Sequence, residues 1–318
     1  MGQFQCCDTF KNKNNTNTNW QNKDNQPGFI NNTTSFKCIR TFEAHEDEII
    51  SLIELSSRDL ATGSSDCKIK IWDINTLTCK KIIQETGKVF CLLEFIPGLL
   101  LCGTDENTIQ LWDLNNSNNQ KLHTFEGHLL WVYSLVKCHD NYFASGSNDT
   151  DIRIWNWEEK ACVNVLKGHN DCVLTMIKLQ DGNLCSGSAD LTIKIWDWKN
   201  GLCIQNLKGH KKWIKCLYQL KNGYIISGSD DKTIRIWNNY QTINELKGHD
   251  RSVRALCQIA DNYIASASFD NSIRIWDIYN MICVQILKEH QSNVTCLILH
   301  SSGKMISCSN DHTVKIWE

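Results

Sequence analysis

The chain has 318 residues with a formal net charge of -2, and 42% of the residues are hydrophobic while 21% are charged. This composition is typical of a globular protein, and the length suits one large closed β domain. The charge gives no general support for nucleic-acid binding, which requires clustered positive charge, and no apolar run reaches the length of a membrane span or forms the core of a signal peptide.

The N-terminal segment, residues 1–34, is rich in asparagine, contains few apolar residues and shows no periodicity. We therefore expect a disordered arm before one folded domain over residues 35–318. Gly2 is a candidate for myristoylation and Cys6 and Cys7 for palmitoylation, although the acylation pattern prefers Ser or Thr where Cys6 stands. Two acyl chains can hold a protein at a membrane, whereas one binds marginally. The alternatives are a plain disordered tail and an arm that brings the protein to a membrane.

Beyond the arm, seven tryptophans follow one another at spacings of 39–43 residues, which is a repeat period and not a domain length. Six of them have a histidine 27 residues earlier, an aspartate six residues earlier and a serine or threonine four residues before that aspartate. In the order histidine, hydroxyl residue, aspartate and tryptophan, the six sets are His45, Thr62, Asp66 and Trp72; His128, Ser145, Asp149 and Trp155; His169, Ser186, Asp190 and Trp196; His210, Ser227, Asp231 and Trp237; His249, Ser266, Asp270 and Trp276; and His290, Ser307, Asp311 and Trp317. Fixed spacing in six copies predicts one structural unit repeated along the chain.

Each unit has the pattern of four short strands. In the unit of Trp196, an apolar strand at 173–177 is followed by a turn with glycine at 181–183. A second strand enters the Ser-Gly-Ser-Ala-Asp turn at 186–190, a third ends at the tryptophan, and a fourth at 203–207 leads to the next histidine. Such a unit cannot bury both of its faces alone, so neighbouring units must stack.

Two recurring dipeptides give the chain a resemblance to the WD-repeat (WD40) family. They are Gly-His at 127–128, 168–169, 209–210 and 248–249, and Trp-Asp at 72–73, 112–113, 196–197 and 276–277. The resemblance covers residues 36–318 and implies an all-β, seven-bladed β-propeller of four-stranded antiparallel blades. It also implies that the histidine, hydroxyl residue, aspartate and tryptophan of each set form one buried hydrogen-bonded network, which we call the tetrad. Buried polar groups need such partners.

Serine, histidine and aspartate together also suggest the triad of a hydrolase. A catalytic triad is needed once, whereas this set occurs six times, so we interpret it as structural. No nucleotide-binding loop, metal cluster or unique serine, histidine or cysteine site stands outside the repeat. We therefore expect a protein that is not an enzyme and that uses no cofactor, metal or small-molecule substrate.

The last unit ends at Trp317 after only three strands. Residues 35–42 match the pattern of a fourth strand and precede the first histidine. We expect this N-terminal strand to pair with the last unit and close the ring, which removes an open sheet edge.

The second unit departs from the repeat. It keeps Trp112, but Glu85 stands at the histidine position, Cys102 at the hydroxyl position and Glu106 at the aspartate position. One interpretation is drift in a tolerated unit, because repeats share stability with their neighbours. The other is a locally soft blade that responds to a partner.

The chain contains 17 cysteines, an odd number in a long sequence without a signal peptide, which argues against a disulfide framework. Five of them recur just before the end of a unit, at Cys38, Cys79, Cys162, Cys203 and Cys283. We expect these five to be small buried hydrophobic residues on one strand face. The pattern favours a reducing, intracellular and cytoplasmic location.

Partner-binding positions in the WD-repeat family lie on one face of the ring, beside the first strand and the aspartate turn of each unit. Two groups stand out there, the aromatic cluster of Phe90, Trp131 and Tyr133 and the basic arc of Lys211, Lys212, Lys215, Arg251 and Arg254 with Trp213 inside it, and Phe269 lies before the aspartate of the sixth unit. Aromatic residues are common hot spots of binding. The alternatives are packing against loops for the aromatic side chains and a solvated face for the charges.

These patterns predict a non-catalytic interaction scaffold, monomeric within a larger complex, that binds peptides or proteins with acidic or phosphorylated segments. A second hypothesis is a substrate-receptor subunit of a ubiquitin ligase. A third, which rests on the basic arc alone, is RNA binding.

Overall fold

A computed structural model describes residues 35–116 and 118–318, and this part of the chain forms 28 strands. They assemble into seven antiparallel sheets of four strands each, so the predicted all-β, seven-bladed propeller is confirmed. The first strands of neighbouring blades contact one another around the ring. The predicted arm, with Gly2, Cys6 and Cys7, lies outside the described residues.

The blades are numbered in chain order. Blade 1 contains β2 (Ile49–Glu54), β3 (Leu60–Ser64), β4 (Lys68–Trp72) and β5 (Cys79–Gln84); blade 2 contains β6 (Val89–Ile96), β7 (Leu99–Thr104), β8 (Ile109–Asp113) and β9 (Gln120–Phe125). Blade 3 contains β10 (Val132–His139), β11 (Tyr142–Ser147), β12 (Ile152–Asn156) and β13 (Ala161–Leu166); blade 4 contains β14 (Val173–Lys178), β15 (Leu184–Ser188), β16 (Thr192–Asp197) and β17 (Leu202–Lys208). Blade 5 contains β18 (Ile214–Gln219), β19 (Ile225–Ser229), β20 (Thr233–Asn238) and β21 (Gln241–Lys247); blade 6 contains β22 (Val253–Ala260), β23 (Tyr263–Ser268), β24 (Ile273–Asp277) and β25 (Ile282–Leu287). Blade 7 contains β26 (Val294–Leu299), β27 (Met305–Ser309), β28 (Thr313–Trp317) and, from the other end of the domain, β1 (Cys38–Glu43).

The ring closes through β1, which pairs antiparallel with β28 and places Cys38 opposite Trp317. The predicted closure by the N-terminal strand is thus confirmed. The strand begins three residues later than the predicted start at residue 35. The side-chain amide of Gln285 in blade 6 binds the backbone of Phe36 as a neighbouring strand would. Gln285 Oε1 accepts from the Phe36 N–H at 3.0 Å, and Gln285 Nε2 donates to the Phe36 carbonyl at 2.8 Å.

The apolar core lies between neighbouring blades. Between blades 7 and 1, for example, buried Ile306 and Val314 pack in one cluster with Ile49 and Leu52. Burial of apolar area stabilises a fold by about 25 cal/mol per Å². Because this burial is shared between adjacent blades, each blade depends on both neighbours for its stability.

One position of the second strand sets how closely the blades approach. It is glycine in five blades, at Gly63, Gly103, Gly146, Gly187 and Gly228, and it is Ala267 in blade 6 and Cys308 in blade 7. A Cβ at Gly63 would lie 2.5 Å from Val89 Cγ1 of the next blade, and a Cβ at Gly187 would lie 2.6 Å from Ile214 Cγ2. The absence of a side chain therefore lets the inner strand of the next blade pack directly on the backbone.

The five recurring cysteines lie in the outermost strands, each paired with the tryptophan of its blade next to a β-bulge. Cys79 and Cys203 are exposed and the other three are partly exposed, so the prediction that they are buried is wrong. The reason is their place at the rim, where strands have few covered residues; in β17 only Leu207 is buried. Their thiols instead donate to the carbonyl two residues further on, as Cys162 does at 3.3 Å.

All 15 cysteines in the described part of the chain are free. The same residues contain no helix long and apolar enough to cross a bilayer. Within residues 35–116 and 118–318, no group of three or more histidine, cysteine or acidic side chains is placed to hold a metal ion.

Candidate functional site

The structure brings the four members of each tetrad together. In blade 4 the indole N–H of Trp196 donates to Ser186 Oγ at 2.8 Å, and Ser186 lies 2.7 Å from His169 Nε2. His169 Nδ1 lies 2.7 Å from Asp190 Oδ2. In the other five sets the histidine–aspartate distances are 2.7–2.9 Å and the tryptophan–hydroxyl distances are also 2.7–2.9 Å.

The hydrogen-bond pattern suits one tautomer of the histidine. Because Ser186 Oγ accepts from the indole, its hydrogen is directed to His169 Nε2, and His169 Nδ1 carries the proton that goes to Asp190. A continuous chain of donors therefore requires a neutral imidazole. Burial lowers the pKa of His45 and of His290, which also favours the neutral imidazole. The partner aspartates oppose this shift.

The tetrad aspartates are held as carboxylates. Burial by itself raises the pKa of Asp149, but hydrogen bonds from His128 and from the Leu129 backbone N–H outweigh it and lower that pKa to about 2. In blade 4 the second oxygen of Asp190 accepts from the Thr192 backbone at 2.9 Å. Each such carboxylate joins the histidine loop to the following strand, so the tetrad is a structural clamp across its blade.

Blade 2 has a different network. Glu85 Oε1 accepts from the indole N–H of Trp112 and from Cys102 Sγ, the latter at 2.8 Å. Burial raises the pKa of Glu85 above its usual value, although the two donors oppose the shift. Glu106 is not part of this network, and its backbone N–H is bound by Thr104 Oγ1 at 3.3 Å. A single buried carboxyl thus replaces the histidine and hydroxyl of the other blades.

One face of the ring, called here the upper face, contains the residues that precede each first strand and each turn aspartate. These residues are joined within each blade, as Asn148 N–H donates to the Trp131 carbonyl at 2.9 Å and Asp230 N–H to the Trp213 carbonyl at 2.9 Å. A central cavity of about 590 Å³ opens among them and is lined by residues of all seven blades. Cys172, from blade 4, also lines it. The upper face is therefore the place where side chains from the whole ring converge.

The aromatic cluster spans blades 2 and 3. The ring centroid of Phe90 lies 5.7 Å from that of Trp131 and 5.1 Å from that of Tyr133. Phe90 and Tyr133 line the central cavity, whereas Trp131 is 43% exposed beside Leu129 at 76%. Leu130 is exposed as well. The two leucines were missed by the sequence analysis, although two apolar residues directly after a loop histidine are a visible signal.

The basic arc divides into two parts. Lys215 and Arg254 line the cavity, where Lys215 Nζ lies 4.4 Å from the ring centroid of Trp213 and Arg254 Cζ lies 5.0 Å from that of Phe269. Asp230, which the sequence analysis did not count in the arc, lies 3.7 Å from Lys215 Nζ. Burial, followed by the charge of Arg254, lowers the pKa of Lys215 to about 8.

The remaining members of the arc lie outside the cavity. Lys211, Lys212 and Arg251 are exposed and do not line it. Trp213, between the two parts, is 47% exposed. The hydroxyl of Ser252 in blade 6 donates to Asp230 of blade 5, which holds the two blades together beneath the arc.

A closed ring of seven four-stranded blades, six of them with the same tetrad, defines a repeat-built β-propeller. Six segments match the family model "WD domain, G-beta repeat", at residues 36–73, 119–156, 160–197, 201–238, 240–277 and 281–318, and the chain belongs to the WD40 family. The matched segments leave out residues 74–118, which include the network of Glu85.

The chain is similar to parts of several larger proteins. Nuclear distribution protein nudF of Aspergillus niger is 33% identical over 132 residues, which is 40% of this chain and 30% of that protein. E3 ubiquitin-protein ligase COP1 of Pisum sativum is 24% identical over 139 residues, 42% of this chain and 20% of that protein. DENN domain and WD repeat-containing protein SCD1 of Arabidopsis thaliana is 24% identical over 128 residues, 40% of this chain and 11% of that protein. The match thus spans less than a third of each of these relatives.

Proposed function

We propose that this chain is a non-catalytic scaffold that binds segments of other proteins at the upper face of its propeller. The observation that carries the proposal is the combination of exposed aromatic and cationic side chains around one central cavity, with Trp131 and Trp213 both more than 40% exposed. Large rigid side chains at the rim of a cavity are suited to anchor a partner. A catalytic use of the repeated serine and histidine is disfavoured, because Ser186 is fully buried and its hydroxyl is hydrogen-bonded to both Trp196 and His169.

The preferred partner segment carries acidic or phosphorylated residues and at least one apolar side chain. Lys211, Lys212 and Arg251 present exposed positive charge around Trp213, and Lys215 adds charge on the cavity wall. Such a charge pattern mainly speeds association and fixes orientation. Because the pKa of Lys215 is about 8, its charge is present at neutral pH and is lost as the pH rises through that value.

The test is pull-down mass spectrometry with Lys211→Glu/Lys212→Glu/Arg251→Glu. A matched control reverses the same number of charges on the opposite face, at Lys178, Lys199 and Lys221. We expect the arc variant to lose partners that the wild type and the control retain. An unchanged partner set in the arc variant would remove this surface as the binding site, and recovered RNA in place of protein would favour nucleic-acid binding, which a steep salt dependence identifies.

A second candidate function is that of a subunit of a ubiquitin ligase. It is favoured by the similarity to E3 ubiquitin-protein ligase COP1 of Pisum sativum, which is 24% identical over 139 residues. Under this hypothesis the propeller recruits the substrate and other subunits supply the transfer chemistry. Recovery of ubiquitin-ligase subunits with the wild-type chain, and accumulation of the upper-face partners when the chain is removed from cells, would support it; stable partner levels would contradict it.

We further propose an intracellular location with association to membranes through the N-terminal arm. The support is the sequence Met-Gly-Gln-Phe-Gln-Cys-Cys, in which Gly2, Cys6 and Cys7 are potential acylation sites. Cell fractionation of the wild type and Gly2→Ala tests this. The wild type is expected in the membrane fraction and the variant in the soluble one, and equal soluble behaviour of both would contradict acylation.

A further inference from the structure

Blade 7 contains a pair of cysteines on adjacent inner strands. Cys296 in β26 and Cys308 in β27 are direct partners in the antiparallel ladder. Cys308 occupies the close-approach position of the second strand, which is glycine in five blades and alanine in blade 6. A cysteine on both sides of this pairing occurs in no other blade.

Blades 2 and 5 show how close the two side chains of this pairing come. Each has a cysteine in the first strand, Cys91 or Cys216, opposite a glycine. A Cβ on Gly103 or Gly228 would lie 2.6 Å from that cysteine's Sγ. In blade 7 a real Cβ and a second sulfur occupy this space. Directly paired strand residues place their Cβ atoms about 4.5–5.5 Å apart. The Cβ–Cβ distance in disulfides is about 3.5–4.5 Å, so a small shift of the two strands is enough for an S–S bond.

The thiol of Cys296 has a different hydrogen-bond partner from its equivalents in blades 2 and 5. Cys91 Sγ and Cys216 Sγ each point to the carbonyl of the first-strand valine of the next blade, at 3.6 and 3.7 Å. Cys296 Sγ instead donates to the carbonyl of Ile50 in blade 1 at 2.9 Å. Cys91 and Cys216 are buried, whereas Cys296 is partly exposed, and both Cys216 and Cys296 line the central cavity.

The two thiols of blade 7 are therefore not equivalent. Cys308 is fully buried, and burial together with the adjacent Cys296 sulfur raises its pKa well above the usual value, so its thiol stays protonated. Cys296 lines the central cavity and Cys308 does not, so Cys296 is the member of the pair that a reagent in the cavity reaches. A hydrogen bond from the Cys308 thiol lowers the pKa of Cys296, although burial opposes the shift, so Cys296 is the member of the pair that ionises and reacts first.

We propose that Cys296 and Cys308 form an oxidation site that takes a peroxide as its co-substrate. The Cys296 thiolate attacks one peroxide oxygen, the O–O bond breaks, and the products are a Cys296 sulfenic acid and hydroxide. The Cys308 sulfur then attacks the sulfenic sulfur while its thiol proton passes to the departing hydroxyl oxygen, so that water leaves as the S–S bond forms. Two thiols are oxidised and one peroxide is reduced to water. A dithiol reductant reverses the step.

Oxidation replaces a hydrogen bond between blades 7 and 1 by a covalent bond within blade 7. The bond from Cys296 to the Ile50 carbonyl, which joins blade 7 to blade 1, is lost because the thiol hydrogen is gone. In its place a covalent bond joins β26 and β27. The site thus couples the redox state to the wall of the central cavity.

The experiment uses the full chain, reduced and then treated with hydrogen peroxide, with free thiols alkylated before tryptic digestion. Cleavage at Lys288, Lys304 and Lys315 places Cys296 in peptide 289–304 and Cys308 in peptide 305–315, with one cysteine in each. We expect these two peptides to appear linked without reductant, with a mass two hydrogens below their sum. Cys216 serves as the internal control, because it has the same strand position with a glycine partner.

Cys308→Gly restores the residue found in five blades, and Cys308→Ala restores that of blade 6, so at least one is expected to fold. Either variant should lose the linked peptides and instead accumulate a Cys296 sulfenic acid that dimedone traps. Oxidation should raise the Tm of the wild type by a few degrees and leave the Tm of the variant unraised. The proposal is overturned if peroxide oxidises the exposed Cys203 without linking the two peptides, or if Cys296 reacts no faster than Cys216.

Discussion

At the scale of single residues, Ser186 illustrates how much depends on one hydroxyl. It accepts from Trp196 and donates to His169, and all three lie in the interior of the blade. Removing it leaves a buried indole N–H and a buried imidazole nitrogen without partners. An unpaired buried polar group costs about 1–3 kcal/mol.

We therefore expect Ser186→Ala to lower the free energy of unfolding by about 1–3 kcal/mol or more, since two groups lose a partner. Urea unfolding followed by tryptophan fluorescence measures this. Ser301→Ala is the control, because Ser301 is exposed and lies in a turn of blade 7. A loss in Ser186→Ala no larger than in the control would contradict the role of the tetrad as a clamp.

Glu85 leads to a prediction about pH. Its folded-state pKa is raised, mainly by burial, so this group stabilises the fold when protonated and the contribution is lost as the pH rises from the unfolded pKa through the folded one. Glu85→Gln keeps an oxygen that accepts from Trp112 and Cys102 but cannot ionise. The variant should gain stability relative to the wild type as the pH rises above about 4.3.

Chemical unfolding of both proteins between acid and neutral pH measures the difference. Glu106→Gln changes the same kind of side chain outside the network and should show no such trend. A stability difference between Glu85→Gln and the wild type that is constant over this pH range would show that the carboxyl is not buried in solution.

The six tetrads could be predicted from the sequence, because the residues of each tetrad lie within one repeat and recur at fixed spacings. Contacts between blades left no such signal. Asp230 lies beneath the basic arc and bonds to Ser252 of the next blade. That bond depends on a neighbour that sequence distance does not reveal.

At the scale of strands, the repeat pattern predicted the number and order of strands per blade and the closing strand. It missed how loops are joined between blades. One position near the end of the first strand binds a backbone N–H of the preceding blade, as Glu94 binds Ser56 at 2.6 Å and Gln258 binds Lys221 at 2.9 Å. Glutamate and glutamine there resemble any exposed polar residue in the sequence.

The closing strand can be tested by truncation. Removal of residues 1–34 leaves β1 intact, whereas removal of residues 1–44 deletes β1 and exposes the edge of β28. The first truncation should melt at the temperature of the full chain. The second should melt lower and less cooperatively and should aggregate, because an unpaired strand edge is open to other chains.

Differential scanning calorimetry of the three proteins measures this. Cooperative melting of the 1–44 truncation at the parent temperature would contradict closure through β1. Reduced stability of the 1–34 truncation would instead show that the arm itself contributes to the fold.

At the scale of the whole molecule, charge is unevenly distributed around the ring. Blade 1 is preceded by Glu43 at the end of β1 and by an acidic loop with Glu46, Asp47 and Glu48, whereas blades 5 and 6 present the basic arc. Lys68 lies 3.1 Å from Glu46 and neutralises only part of the loop. An anionic segment approaching the upper face is thus repelled at one side of the cavity and attracted at the other, which orients it before contact.

The final prediction separates the charge of the arc from its aromatic anchor. For a partner segment recovered by pull-down, Lys211→Glu/Lys212→Glu/Arg251→Glu should slow association and flatten its salt dependence, because exposed charges act mainly on the encounter rate. Trp213→Ala should instead speed dissociation, since a half-exposed ring at the cavity rim contributes contact area that only the bound state uses. Surface plasmon resonance at several ionic strengths measures both rates, with Lys178→Glu/Lys199→Glu/Lys221→Glu as the control on the opposite face. Equal salt slopes for the arc variant and the control would show that the field of the arc does not guide the partner, and an unchanged dissociation rate in Trp213→Ala would move the anchor elsewhere on the upper face.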